Sequence, residues 1–214
     1  MRRDEALDAI LDSKVIAVIR MPDPDKLQRV VEAIKAGGVR AIEITMTVPD
    51  ALGIIRTMAK AKSAGVLVGA GTVLDAETAA AAIHAGADFV VSPITNPAMI
   101  RICRRYDTLV APGALTPTEV VAAWEAGADI VKIFPATSVG PKYFQDLKGP
   151  LPQVRLMPTG GVNLENARDF IAAGACCVGI GTALLDKKAI AAGDWAALTA
   201  KAKALVDSLQ TPQK

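Results

Sequence analysis

Four stretches of the chain repeat one pattern: a helix end built of small residues, a glycine, then an aliphatic strand. They cover residues 36–44, 85–91, 126–132 and 173–179. Their glycines, Gly37, Gly86, Gly127 and Gly174, lie 49, 41 and 47 residues apart. A glycine just past a helix ends it with a left-handed residue. A strand directly behind it is one βα step of a parallel sheet. Each interval has room for two such steps. Reading the segments between them gives eight strands, near residues 15–19, 39–44, 66–69, 89–91, 108–111, 130–133, 154–157 and 177–180.

Alanine-rich amphipathic segments separate these strands. Val30, Val31 and Ile34 form one stripe at helical spacing, and Ala82, Ile83 and Ala85 another. Asp25, Asp50, Asp75, Asn96, Thr116 and Asn163 stand where helix N-caps are wanted. Eight βα steps in 214 residues, 51% of them hydrophobic, predict one α/β domain over residues 1–214. The expected fold is a single (β/α)8 TIM barrel with an N-terminal helix. The rival is an open doubly wound sheet. Its nucleotide fingerprint is missing, because Gly69-Ala70-Gly71-Thr72 does not continue as GxGxxG.

A barrel of this kind carries its chemistry at the C-terminal ends of its strands. There the sequence places a lysine inside an apolar strand, Ile130-Val131-Lys132-Ile133-Phe134. Burial disfavours the ammonium and lowers its pKa, and a neutral amine is a nucleophile toward carbonyls. Lys132 is therefore the expected Schiff-base residue; the alternative is a strand-end lysine that reaches back into water. Period-two alternation puts Ala41, Glu43 and Thr45 on one face of their strand. Glu43 is then expected beside Lys132 as a general acid and base. A buried structural ion pair is the competing reading. Phe134 shares the Lys132 face and is expected to border the substrate.

Glycine loops follow the last two strands, at Pro158-Thr159-Gly160-Gly161-Val162-Asn163 and Gly179-Ile180-Gly181-Thr182-Ala183. Barrels commonly hold phosphate there on loop amides; tight turns are the alternative. Arg20 ends the first strand and is a natural clamp for a carboxylate or phosphate, or else a surface residue. Thr47, Thr72 and Ser92-Pro93 complete a polar mouth.

Several function classes are disfavoured. Against 22 acidic residues stand 24 basic ones, with no basic stripe, so nucleic acid is not an expected partner. His84 is the single histidine and falls in a helix, which removes histidine metal sites and Ser-His-Asp triads. Trp124 and Trp195 are expected to pack or sit at interfaces. Cys103, Cys176 and Cys177 form no CxxC and suit a reducing compartment. Adjacent strand cysteines face opposite sides, so these two are expected as core residues. The charged N-terminus has no apolar stretch of a signal peptide, and no run reaches membrane length. A cytoplasmic protein that makes no membrane contact is expected.

Taken in order, these motifs resemble those of the bacterial 2-keto-3-deoxy-6-phosphogluconate (KDPG) aldolases, which overlap in activity with 4-hydroxy-2-oxoglutarate (KHG) aldolases. The likeness runs through Gly37-Gly38-Val39 to Glu43-Ile44-Thr45, Val68 to Leu74, Ser92-Pro93, Lys132 to Ala136 and Pro158 to Val162. It implies a homotrimeric barrel and a class I aldolase that needs no metal or cofactor. It implies cleavage of KDPG to pyruvate and glyceraldehyde 3-phosphate in the Entner–Doudoroff pathway. By position, Lys132 matches the Schiff-base lysine and Glu43 the proton-shuttling glutamate. Thr72 and Pro93 match residues near the pyruvyl group, and Thr159 one linked to stereochemical choice. Gly160, Gly161 and Gly181 match phosphate-loop positions, with Thr182 where a serine is frequent. Some members carry an arginine at the Thr47 position for the substrate's anionic end; here that role passes to Arg20. The galactonate epimer is an alternative substrate. A phosphate-binding barrel isomerase or synthase without covalent catalysis is the rival from another class.

Overall fold

The computed structural model of the chain describes residues 2–61 and 65–210. Its elements run α1 (Arg3–Ser13), β1 (Val15–Ile19), α2 (Pro24–Ala36), β2 (Ala41–Thr45), α3 (Ala51–Ala61), β3 (Leu67–Gly71) and α4 (Ala76–Ala85). There follow β4 (Phe89–Val91), α5 (Pro97–Arg105), β5 (Leu109–Ala111), β6 (Gly113–Ala114), α6 (Pro117–Glu125) and β7 (Val131–Ile133). The chain ends through α7 (Gly140–Lys148), β8 (Leu156–Pro158), α8 (Ala167–Ala172), β9 (Val178–Ile180), α9 (Lys187–Ala192) and α10 (Trp195–Gln210).

All the strand pairings are parallel among the described residues. Six strands form one sheet in the order β5-β4-β3-β2-β1-β9, and three form a second in the order β6-β7-β8. The strand expected at 108–111 is thus the first of two short pieces. Pro112 separates them, because it has no N–H for the next ladder bond. Its carbonyl still accepts the Lys132 N–H at 2.8 Å. On the other side of β8, single parallel bridges join Leu156 to Ala175 and Thr159 to Gly179.

Strand alternation divides the core into an inner and an outer layer. One inner cluster holds Ile16, Ala41, Leu67, Phe89, Leu109, Ile130, Met157 and Cys177, so both sheets curl around a common interior. The opposite face of each strand, including Ile42, Ile44, Val68, Val90, Val131 and Val178, packs against the helices. Room inside is tight. A Cβ on Gly69 would enter the ring of Phe89, which is fully buried.

Helix α1 lies across the N-terminal ends of the strands, with Ala6 and Ile10 in the inner cluster. Polar contacts fix it there. Asp129 is buried, takes the Val110 N–H at 2.9 Å, and meets Arg3 Nη1 at 3.0 Å and Arg104 Nη1 at 3.4 Å. The Asp in the repeated Gly-Ala-Asp has the same use one repeat earlier, where Asp88 accepts the Val68 N–H at 2.9 Å. The repeat thus encodes a strand-start anchor as well as a helix stop.

Asp75, Asn96 and Thr116 cap α4, α5 and α6 with their side chains, as their positions in the sequence imply. Asp50 accepts the Gly53 N–H at the start of α3. Two caps differ. Asp23, not Asp25, caps α2, because Pro24 suits the first helical position. Asn163 receives the Glu165 and Asn166 N–H groups in a turn that precedes α8. In the first repeat the left-handed glycine is Gly38, at φ 97°. Gly37 instead lets α10 approach, since a Cβ there would lie 2.7 Å from the Thr199 carbonyl. Cys176 and Cys177 do not part to opposite sides. Both pack on the inner cluster, with sulfurs 3.8 Å apart, because Cys177 precedes the first ladder residue of β9 and Cys176 lies in the turn before it. Among the described residues no helix is long and apolar enough to cross a membrane.

Candidate active site

The interior changes character toward the C-terminal ends of the strands. The layer of Ile16, Ala41, Leu67 and Ile130 gives way, two residues on, to Val18, Glu43, Gly69 and Lys132. Register places Val18 opposite Glu43, Glu43 opposite Gly69, and Lys132 between Gly113 and Met157. Lys132 is 5% exposed and Glu43 1%. Neither makes a hydrogen bond or an ion pair within 4.0 Å among the described residues. The pair is therefore close enough to feel each other's charge, yet is not a locked ion pair.

Burial sets the protonation of both. Desolvation pushes the Lys132 pKa below its ordinary value; Glu43 opposes that shift, and Arg20 adds to it. Desolvation likewise lifts Glu43 above the usual carboxylate range, against the pull of Lys132 and Arg20. Buried charged groups are normally paired or used. The Lys132 ammonium nitrogen has one other neighbour of note, the Phe134 ring, whose centroid is 5.0 Å away. The peptide bond that leaves Phe134 for Pro135 is cis.

Glycines without side chains make the space for these groups. A Cβ on Gly71, on the inner face of β3, would fall within the Glu43 carboxylate. A Cβ on Gly179 would fall on the Thr159 hydroxyl. That hydroxyl is buried and has no hydrogen-bond partner among the described residues. Gly71 is not among the expected site residues, and Gly179 is expected only as part of the phosphate motif. The signal was present: Gly69-x-Gly71 within β3, and Gly179-x-Gly181 from β9 into the loop after it, carry glycine at period two, which marks close approach of another group.

Above Thr159 opens a cavity of about 330 Å³. Arg20, Phe134, Thr159, Gly160, Gly161, Gly181 and Thr182 line it, so seven of the expected site residues meet there. Gly160 and Gly161 are left-handed, at φ 91° and 74°. Asn163 and Ala183, the last residues of the two glycine motifs, also border it. Arg20 is exposed, and its Nη1 lies 3.8 Å from where a Cβ on Gly181 would be. Lys132 and Glu43 are not in the cavity wall, whereas Phe134, whose ring centroid is 5.0 Å from Lys132 Nζ, is. Thr47, Thr72 and Pro93 also lie outside it. Thr47 shares a hydroxyl hydrogen bond of 2.9 Å with Thr45, above Glu43 on β2. Thr72 follows Gly71 in a left-handed conformation, φ 58°, which is uncommon for a β-branched residue. Pro93 is half-buried, with its carbonyl against Gly113. Among the described residues no three His, Cys, Asp or Glu side chains gather as metal donors.

A sequence profile described as KDPG and KHG aldolase matches residues 7–201. The chain belongs to this aldolase family. It is 36% identical over 187 residues to 2-dehydro-3-deoxy-phosphogluconate aldolase of Pseudomonas aeruginosa, covering 86% of this chain and 84% of that protein. It is also 36% identical over 171 residues to 2-dehydro-3-deoxy-6-phosphogalactonate aldolase of Escherichia coli, covering 79% of this chain and 83% of that one. Among solved structures it is similar to the KDPG aldolase of Legionella pneumophila, in which pyruvate was captured as a covalent carbinolamine. That likeness has a TM-score of 0.85 and 27% identity, and covers 93% of this chain and 97% of the other. Membership of the aldolase family agrees with the fold and with a buried lysine at the end of a central strand.

Proposed function

We propose that the protein is a class I aldolase that cleaves 2-dehydro-3-deoxy-6-phosphogluconate to pyruvate and glyceraldehyde 3-phosphate. The observation that carries this reading is Lys132 itself: a buried amine with no fixed partner, beside a buried carboxylate, next to a cavity walled by glycine loops. In this reading the two sheets are arcs of one eight-stranded (β/α)8 barrel over a single domain. Pro112 interrupts the fifth strand, and the bridges from β8 toward β9 support closure.

Lys132 Nζ attacks the C2 ketone of the bound keto acid. Glu43 supplies and removes the protons that convert the carbinolamine to an iminium. The iminium draws electrons from the C3–C4 bond. As Glu43, through a water, takes the proton of the C4 hydroxyl, that bond breaks and the aldehyde leaves. The resulting enamine is protonated at C3 and hydrolysed to pyruvate and free Lys132. The lowered Lys132 pKa raises the share of neutral amine near pH 7, and the raised Glu43 pKa suits a group that both gives and takes protons. The loop amides of Gly160, Gly161 and Gly181, with Thr182 and Arg20, hold the phosphate. Thr72 and Pro93 border the pyruvyl end, with Thr47 above them. Thr159 meets the substrate hydroxyls, which its unpartnered Oγ1 favours.

The galactonate epimer is a second reading, favoured by the equal 36% identity to the phosphogalactonate enzyme. Relative kcat/KM on the two 6-phosphates and on 4-hydroxy-2-oxoglutarate assigns the substrate. Lys132→Met is expected to lower cleavage by at least about a thousandfold. Retained activity in that variant would favour a non-covalent synthase instead. The protein is read as a cytoplasmic homotrimer; light scattering tests the trimer, for which exposed Leu74 and Ile94 offer apolar contact.

A further inference from the structure

A second cavity lies behind the first. Its volume is about 210 Å³, and Ile19, Met21, Leu185 and Ile190 give it aliphatic walls. It shares Val18, Arg20 and Thr182 with the larger cavity, so Arg20 stands in the partition between them. Lys187 is the other charged residue in its lining, and no carboxylate lines it. The acid next in sequence, Asp186, is committed elsewhere: it caps α9 and pairs with Lys201 at 3.7 Å. Neither Arg20 nor Lys187 has an ion pair or hydrogen bond among the described residues.

A hollow with aliphatic walls and two cations that no lining carboxylate pairs is complementary to one kind of ligand, an organic anion with an apolar body. Phosphate alone would leave the aliphatic walls wet, and a neutral apolar molecule would leave both cations unmatched. We infer that this rear cavity is a binding compartment for a medium-chain carboxylate. The aliphatic body lies against Ile19, Met21, Leu185 and Ile190, and the head group meets Arg20 and Lys187. The inference rests on the reading of Arg20 as the residue that also serves the substrate phosphate. One guanidinium cannot serve both anions fully. The carboxylate therefore competes with the phosphorylated keto acid, and does not compete for Lys132 with pyruvate, which has no phosphate.

The test uses octanoate, with octanamide as the neutral control. Both are titrated by calorimetry into the wild-type protein, Ile190→Trp, which fills the compartment, and Lys187→Glu, which reverses one of its charges. Octanoate is expected to bind the wild type at least about tenfold more tightly than octanamide, and each variant to weaken it about tenfold. Steady-state inhibition by octanoate is expected to be competitive with the phosphorylated substrate, with uninhibited kcat/KM of both variants within about twofold of wild type. Failure of octanoate to bind, equal binding in all three proteins, or competition with pyruvate would overturn the inference. If octanoate bound as expected while no phosphorylated keto acid were cleaved, the compartment would stand and the aldolase reading would fall.

Discussion

Gly71→Ala adds one methyl group to the inner face of β3. The glycine is not left-handed, so its backbone accepts alanine. A stiffer unfolded chain then stabilises the variant by about 0.4–1 kcal/mol. Against this, the new Cβ overlaps Cγ, Cδ and Oε1 of Glu43. Overpacking of that kind typically costs about 1–3 kcal/mol. The net loss of stability is therefore at most about 2.6 kcal/mol, and the fold survives. The carboxylate must retreat by about 1 Å, a displacement that lowers a rate roughly a hundredfold. That corresponds to about 2.7 kcal/mol of transition-state stabilisation. Pyruvate release, coupled to oxidation of NADH, gives kcat/KM, and urea denaturation gives stability. Gly69→Ala is the control: its Cβ meets the buried Phe89 ring instead. It is expected to lose stability while each folded molecule keeps its activity. The reasoning is refuted if Gly71→Ala stays within about threefold of wild type, or if Gly69→Ala loses as much activity per folded molecule.

The remaining expectations concern charge. Glu43 holds the Lys132 pKa up and Arg20 holds it down. In the pH dependence of Schiff-base formation with pyruvate, Glu43→Gln is therefore expected to move the lysine inflection to lower pH, and Arg20→Gln to higher pH. Because folding lowers the Lys132 pKa, the unfolded chain binds the proton more tightly, so this residue's contribution to stability rises with pH between its folded value and 10.5. Urea midpoints of wild type and Lys132→Met across alkaline pH read that difference, which should narrow as pH rises. Asp129→Asn leaves Arg3 and Arg104 without their shared carboxylate. Both arginines are partly exposed, so a loss of about 1–3 kcal/mol in urea denaturation is expected, with unchanged kcat/KM.

The repeated glycine-and-strand pattern made the parallel order of strands legible, because it reports backbone conformation and burial together. Alternation alone placed Lys132 and Glu43 on inner faces, which needs no knowledge of contacts. The glycine loops after the last two strands were also legible, and they meet Arg20 and Phe134 in one cavity. Other features depend on three-dimensional crowding. Nothing in Gly71 or Gly179 alone says which side chain fills the space they leave. Pro112 could have signalled a broken strand, since it cannot donate to a ladder. The choice of Asp23 over Asp25 as a cap turned on Pro24 between them. The rear cavity joins Ile19 to Ile190 across most of the chain, a juxtaposition that no local pattern encodes.

The most direct test of Lys132 as the nucleophile is borohydride reduction in the presence of pyruvate, followed by peptide mass mapping. One reduced pyruvate adduct per chain is expected, on Lys132, with loss of activity in proportion to labelling. Active enzyme that gains no adduct, or that carries it on another lysine, would contradict the account.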